Sequence, residues 1–366
     1  MTDILPGVSI TVKAEGLIVA GPISTGNIGI VGTAKQGTDL EVVRLSSYDE
    51  AQEKFGTYDA FDPDKTIEDF TLVRALEIAY ANGASSVYAV KVAGTSDTQY
   101  AEGLEKLANE NVQIVVAAGK DYGIGNELNT HVNNASTDKF KRERIAVVGS
   151  KLNASVDDVK AHNLNNDDGR IIVVSPGIKF TDAAAKNAEG KLEPKDVILP
   201  AAYTAAAVAG LLSTREPHIS LTNKTLSVPG LEKKYNPAEL EDLITAGVLA
   251  LEERRGFRVV RAITTNFNVG AFGPITTIRI VDYAKNGVRS AAEPYIGLLN
   301  NDRVRKALKG SINGFLARMV DDEMLTLYKL DVTATRDDEK QGIAKVIMTL
   351  QPTFSIEFIK VVMFLE

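Results

Sequence analysis

Short apolar runs alternate with longer amphipathic ones over most of the chain. "NIGIVGTA" (27–34) reads as a buried strand, and "SSYDEAQEKFG" (46–56) as a short capped helix stopped by Gly56. "IEDFTLVRALEIAYANG" (67–83) carries apolar residues at helical spacing and ends on a glycine. There follow a strand at 85–94, a helix at 97–109, a strand at 112–118 and a helix near 125–136. A strand at 144–150, a helix at 155–164 and a strand at 170–176 complete the series. Unbroken apolar strands between helices predict an α/β domain, a mostly parallel sheet with helices on both faces. "PAAYTAAAVAGLLS" (200–213) is a helix of small residues, suited to close packing.

A loop-rich stretch at 214–236 and a helix at 237–247 lead to "FRVVRAITT" (257–265), which opens a second region. Its pattern gives a helix near 279–290, another at 302–320, and strand runs at 326–334, 345–352 and the end, with "ATRDDEKQG" (334–342) as a polar hairpin tip. This predicts an α+β domain with a small sheet. Both ends of the chain read as strands. "VSITVK" (8–13) places Val8, Ile10 and Val12 on one side. In "QPTFSIEFIKVVMFLE" (351–366), Phe354, Ile356 and Phe358 alternate with polar residues, and Val361 to Leu365 are all apolar. The last strand asks for cover on both faces, although chain ends are usually polar and frayed. A bare apolar edge invites pairing with another chain.

With 366 residues there is room for two domains. No apolar run approaches the length of a membrane span. "MTDILPGVSI" lacks the basic start and apolar stretch of a signal peptide, so a cytoplasmic protein is expected. The chain has no cysteine, which excludes disulfides, thiolate metal sites and cysteine nucleophiles. The net charge of −7 is unevenly spread: 17 basic and 14 acidic residues from Leu251 onward, against 24 and 34 before it.

Candidate chemistry is sparse. His131, His162 and His218 have no metal-ligand spacing and are expected on the surface. The glycines of "GNIGIVG" (26–32) fall inside a strand rather than opening a helix. "GIGNEL" (123–128) does precede a helix, but it lacks the spacing and lysine of a phosphate loop. Nothing matches a nucleophile elbow. An acidic chain without tryptophan offers no basic, aromatic stripe for nucleic acid. No catalytic residue, metal ligand or cofactor is assigned. In "NDRVRKALKGSINGFLARMV" (301–320), Arg303, Arg305, Lys306, Lys309 and Arg318 flank an apolar stripe. They form either a solvated flank or a docking face for an acidic partner.

Taken in order, several stretches resemble the tail sheath proteins of contractile bacteriophage tails, tailocins and related contractile injection systems. The strongest are "YNPAELEDLITAGVLALEERRGFRVVRAITT", "TTIRIVDYAKNGVRSAAEPYIGLLNNDRVRKALKGSINGFLARMVDDEML" and "DVTATRDDEKQGIAKVIMTLQPTFSIEFIKVVMFLE". "PGVSI", "GIVGTAKQG", "SSYDEAQEKFG", "AAYTAAAVAGLLS" and "LTNKTLSVPGLEK" follow the family more loosely. The resemblance implies an outer α/β domain over 21–250 and an inner C-terminal α+β domain over 251–353. It further implies linking arms at 1–20 and 354–366, with Val8, Ile10, Val12, Phe358, Val362 and Phe364 in strands exchanged between subunits to complete the small sheet. Similar proteins stack as hexameric rings around an inner tube and contract to drive it through a target envelope. The implied partners are other copies of the chain, the inner tail tube protein, and baseplate and tail terminator proteins. Neither nucleic acid nor membrane insertion is implied, and assembly would occur in the bacterial cytoplasm. A C-terminal-domain helix would grip the tube: 302–320, in competition with 279–290 and its Arg279, Lys285 and Arg289. The alternative is an α/β nucleotide-binding protein or enzyme that uses the loops at 118–127 or 150–155.

Overall fold

The computed structural model describes residues 23–65, 67–164, 168–267 and 271–365. Two compact units emerge, one of Ser24–Tyr283 with the segment from Thr353 on, the other of Ala284–Pro352.

The first unit begins with β1 (Ile28–Thr33), β2 (Val42–Leu45), α1 (Tyr48–Phe55), α2 (Leu72–Ala81), β3 (Val87–Val92), α3 (Asp97–Leu107) and β4 (Ile114–Asp121). It continues with α4 (Gly125–Ala135), β5 (Ile145–Gly149), α5 (Val156–Lys160), β6 (Ile171–Ser175), β7 (Ile178–Asp182), β8 (Lys195–Leu199) and α6 (Ala201–Ser213). β9 (Thr225–Leu226), β10 (Gly230–Leu231), α7 (Pro237–Thr245), β11 (Val248–Glu253) and β12 (Phe257–Val259) follow. The main sheet runs β2-β3-β1-β4-β5-β6-β11-β12-β9; the strands from β3 to β11 are parallel to one another, and β2 and β12 join them antiparallel. Because successive side chains point to opposite faces, an unbroken apolar strand feeds two cores at once. Ile30, Val116, Val147 and Val174 pack under α2 and α6, while Val31, Val115, Val148 and Val173 pack under α3, α4 and α7.

Local signals set several helix starts. Ser47 accepts from the Glu50 amide, Ser96 and Gln99 form a reciprocal cap on α3, and Asn236 with Glu239 does the same for α7, which starts on Pro237. α6 is buried from Ala201 to Leu212. Its first turn lies so close to β5 that a Cβ on Gly149 would sit 1.9 Å from the Ala201 backbone.

Several elements depart from the sequence reading. α2 starts at Leu72 rather than 67, because Thr71 is tied to β1: the Thr71 amide donates to Thr33 Oγ1 and the Thr33 amide to Thr71 Oγ1. α5 ends at Lys160. The β7–β8 hairpin, which joins β10 in a three-stranded sheet, was not foreseen; each strand is five residues long and interrupted by charge. Finally, "FRVVRAITT" is a strand only over Phe257–Val259, and it extends the main sheet rather than starting another.

α8 (Ile275–Ala292) precedes the small unit's α9 (Asp302–Asp321), β13 (Leu325–Thr333), α10 (Arg336–Lys340) and β14 (Lys345–Pro352). Gly287 of α8 leaves room for Phe315 of α9, whose ring would lie 1.8 Å from a Cβ at that position. α10 occupies the polar tip between the strands, capped by Thr335 and Asp338.

Candidate assembly surfaces

α9 buries Leu308, Ile312, Phe315 and Met319 of the stripe its spacing predicts; Leu316 is buried beside them, and Val304, also expected there, is only half-buried. Its basic residues do not form one free cluster. Arg305 is paired with Glu339 at 2.9 Å, Lys306 with Asp302 at 2.7 Å and Lys309 with Asp331 at 3.1 Å. Arg303 and Arg318 are exposed, with no ion pair among the described residues. Between them the exposed face carries Ala307, Gly310 and Gly314, and nothing lies within 4 Å of a Cβ built on either glycine. On the competing helix Arg279 is 7% exposed and donates to the carbonyls of Thr25, Arg215 and Glu216, which removes it from any docking face. Lys285 is exposed and Arg289 is half-buried.

β13 and β14 form an antiparallel ribbon with Tyr328 opposite Leu350, Leu330 opposite Met348 and Val332 opposite Val346. These six side chains share one face and are only half-buried. Neither outer edge of the ribbon is paired among the described residues. Two strands alone make a marginal sheet in water.

The segment from Thr353 on, read as a strand, pairs with no strand here, since a strand needs a neighbouring one. Its apolar side chains lie open: Phe358 is 73% exposed, Val362 74% and Phe364 88%. The segment touches its own unit through Glu357, which meets Arg261. Val8, Ile10 and Val12 lie outside the described residues.

The enzyme alternative placed a site in the loops after β4 and β5. A crevice of about 370 Å3 does lie there, lined by Lys65, Glu68, Gly119, Asp121, Lys151 and Tyr203 among others. Its charges are mixed, and Glu68 is already engaged by fully buried Arg74 at 2.9 Å and by the Tyr203 hydroxyl. Burial raises the Glu68 carboxyl above its ordinary range, while Arg74 opposes the shift. In open parallel sheets ligands sit where the strand order reverses, between β1 and β4 here. Thr33, Thr71 and Tyr100 fill that point: the Tyr100 hydroxyl lies 2.9 Å from Thr71 Oγ1 and donates to the Ala118 carbonyl at 2.8 Å.

The histidines correct an expectation. His131 and His162 are 8% and 7% exposed, not on the surface. His131 Nε2 lies 3.1 Å from Arg144 Nη1, and burial, with Arg144 adding to it, lowers its pKa to about 3. His162 Nδ1 accepts from the Leu164 amide at 2.9 Å. Sequence spacing gave no hint of this, because the covering residues come from distant elements. Among the described residues no three His, Asp or Glu side chains are placed to hold a metal ion, and no helix is long and apolar enough to cross a membrane.

Open strand edges and uncovered apolar chain are features of a subunit that joins other subunits. The phage tail sheath protein central domain matches residues 93–265, and the phage tail sheath C-terminal domain matches residues 270–366. The chain belongs to the phage tail sheath protein family. The tail sheath protein of Staphylococcus phage Twort is 24% identical over 339 residues, covering 90% of this chain. The chain spans 52% of that relative's length, and 50% of a similar relative from Enterococcus phage phiEF24C. Among solved structures, the contracted helical sheath of the anti-feeding prophage matches with a TM-score of 0.72 at 17% identity, covering 100% of this chain and 99% of that one. The contracted sheath of the PVC extracellular contractile injection system gives 0.74 at 16% identity, with coverages of 100% and 98%. A sheath tail protein from Desulfitobacterium hafniense gives 0.65 at 13%, with coverages of 95% and 100%.

Proposed function

We propose that this protein is a structural subunit of a contractile sheath, with no catalytic role. The observation that carries the reading is the apolar segment 354–365, left uncovered, together with a two-stranded ribbon whose outer edges are both unpaired among the described residues. The segment is a donor strand and the ribbon of another copy is its acceptor, so that backbone hydrogen bonds and apolar burial link subunits by strand addition. Such a contact is heterologous and repeats without closing, which suits rings of six stacked helically around a tube. In this arrangement the small unit, Ala284–Pro352, faces the tube. The exposed side of α9, with Arg303 and Arg318 at its ends and small residues between, is the surface for an acidic tube.

The work of the protein is mechanical. Rigid units repack between two arrays while the strand links hold, so the free energy of contraction resides in a bistable interface rather than in a reaction. Further partners are the tube, baseplate and tail terminator proteins, and assembly takes place in the bacterial cytoplasm. Deleting residues 354–366 tests the reading. The α/β unit keeps its two cores, so the truncated protein is expected to be soluble and folded, and to form no tubes by negative-stain microscopy. Normal tubes from the truncated chain would refute strand donation.

A further inference from the structure

Between Phe354 and Leu365 every described residue is exposed except Glu357. Phe354 is 61% exposed, Ile356 82% and Ile359 81%. An apolar segment has thus left its hydrophobic side chains in water and tucked in a carboxylate. The reason is Arg261, whose Nε and Nη2 both reach Glu357 Oε2. The guanidinium also lies 4.2 Å from the centre of the Phe267 ring and 5.4 Å from that of Phe358. Side-chain exposure is only 23% for Arg261 and 17% for Glu357, which strengthens the pair relative to a fully solvated one. The backbone under Arg261 is fixed on both sides: the Val260 amide donates to the Ala250 carbonyl of β11, and the Ala262 amide to Thr222 Oγ1.

We infer that Arg261 is a positioning residue that clamps the root of the C-terminal segment to the α/β unit. This inference rests on the strand-donor reading above and adds to it where the donor strand begins. The clamp holds the chain at Glu357, and residues 358–366 beyond it span at most about 30 Å when extended. A donor strand that starts from a fixed point offers itself to an acceptor at a higher effective concentration than one swinging from Thr353. Apolar residues beyond the clamp supply the affinity, and the clamp supplies direction and register.

The chain has no cysteine, so Ser355→Cys gives a unique position for a spin label beside the clamp. In the soluble subunit the label is expected to be restrained in an otherwise unaltered chain and mobile in Glu357→Gln or Arg261→Ala. The concentration at which tubes form should rise roughly tenfold in either variant. Glu357→Gln alters only the segment's side of the contact, so it keeps the test valid if Arg261→Ala fails to fold. The exchanged pair Arg261→Glu with Glu357→Arg should recover part of the restraint. If the label is equally mobile with and without the pair, or if tubes form at the unaltered concentration, the clamp is overturned. If the chain lacking 354–366 still assembles, it is the strand-donor reading that fails.

Discussion

Phe364→Ser tests the contribution of one side chain of the proposed donor strand. Phe364 is 88% exposed in the single chain, so the substitution removes no contact there and should leave unfolding unchanged. Fully burying a phenylalanine side chain contributes roughly 1.5–3 kcal/mol, and most of that surface is still available to be buried. Ordering the backbone opposes assembly equally in both proteins and cancels. The expected loss is therefore about 2 kcal/mol per subunit added, which raises the critical concentration for tube formation roughly 30-fold. Sedimentation of polymer against total protein measures it, with micrographs to confirm that the pellet is tubular. A critical concentration within about twofold of the unaltered protein would mean that Phe364 stays in water in the polymer, and the reasoning would fail.

Other outcomes are equally specific. Gly310→Ala and Gly314→Ala should each stabilise α9 by about 0.5–1 kcal/mol in chemical unfolding, because each glycine is exposed and nothing crowds its Cβ; leucine at either position should prevent binding to the tube if that face lies against it. Reversing Arg303 and Arg318 to Glu should abolish coating of an acidic tube at low salt while sparing self-assembly, and added salt should weaken coating by the unaltered protein in the same direction. Stability should fall as pH drops below about 6.5, because burial holds the folded His131 pKa near 3, and the unfolded chain takes up the proton first. The loss by pH 4 is on the order of 3 kcal/mol, and His131→Gln should flatten that part of the profile.

The parallel sheet was legible because its strands are apolar on both faces, and Val115, Val147 and Val173 announce burial without any partner being known. β7 and β8 were not, because Lys179, Asp182, Lys195 and Asp196 break runs that are already short. The start of α2 was misplaced for a related reason. "IEDFT" has helical periodicity, but Thr71 makes its hydrogen bonds to Thr33, 38 residues away. On the candidate surface, the sequence showed five cations on α9 and the Asp302–Lys306 pair at i,i+4 spacing, but not that Arg305 and Lys309 already face Glu339 and Asp331 from other elements. The exposed apolar end was plain from the pattern alone. Its clamp was not, since Arg261 and Glu357 are 96 residues apart and nothing in either neighbourhood marks the other.

The ribbon's open edges set a rule of proportion. If each edge is filled by a strand from another copy, every subunit inside a stack is satisfied and only the two end layers keep bare edges. The number of bare edges is then the same in a short stack and a long one, so the cost per subunit falls as the stack grows. Starting a stack is the unfavourable step, and among the described residues nothing in this pairing tells it to stop. A polymer built on such a ribbon has no length of its own. Its length must come from whatever starts it at one end, runs alongside it or closes the other.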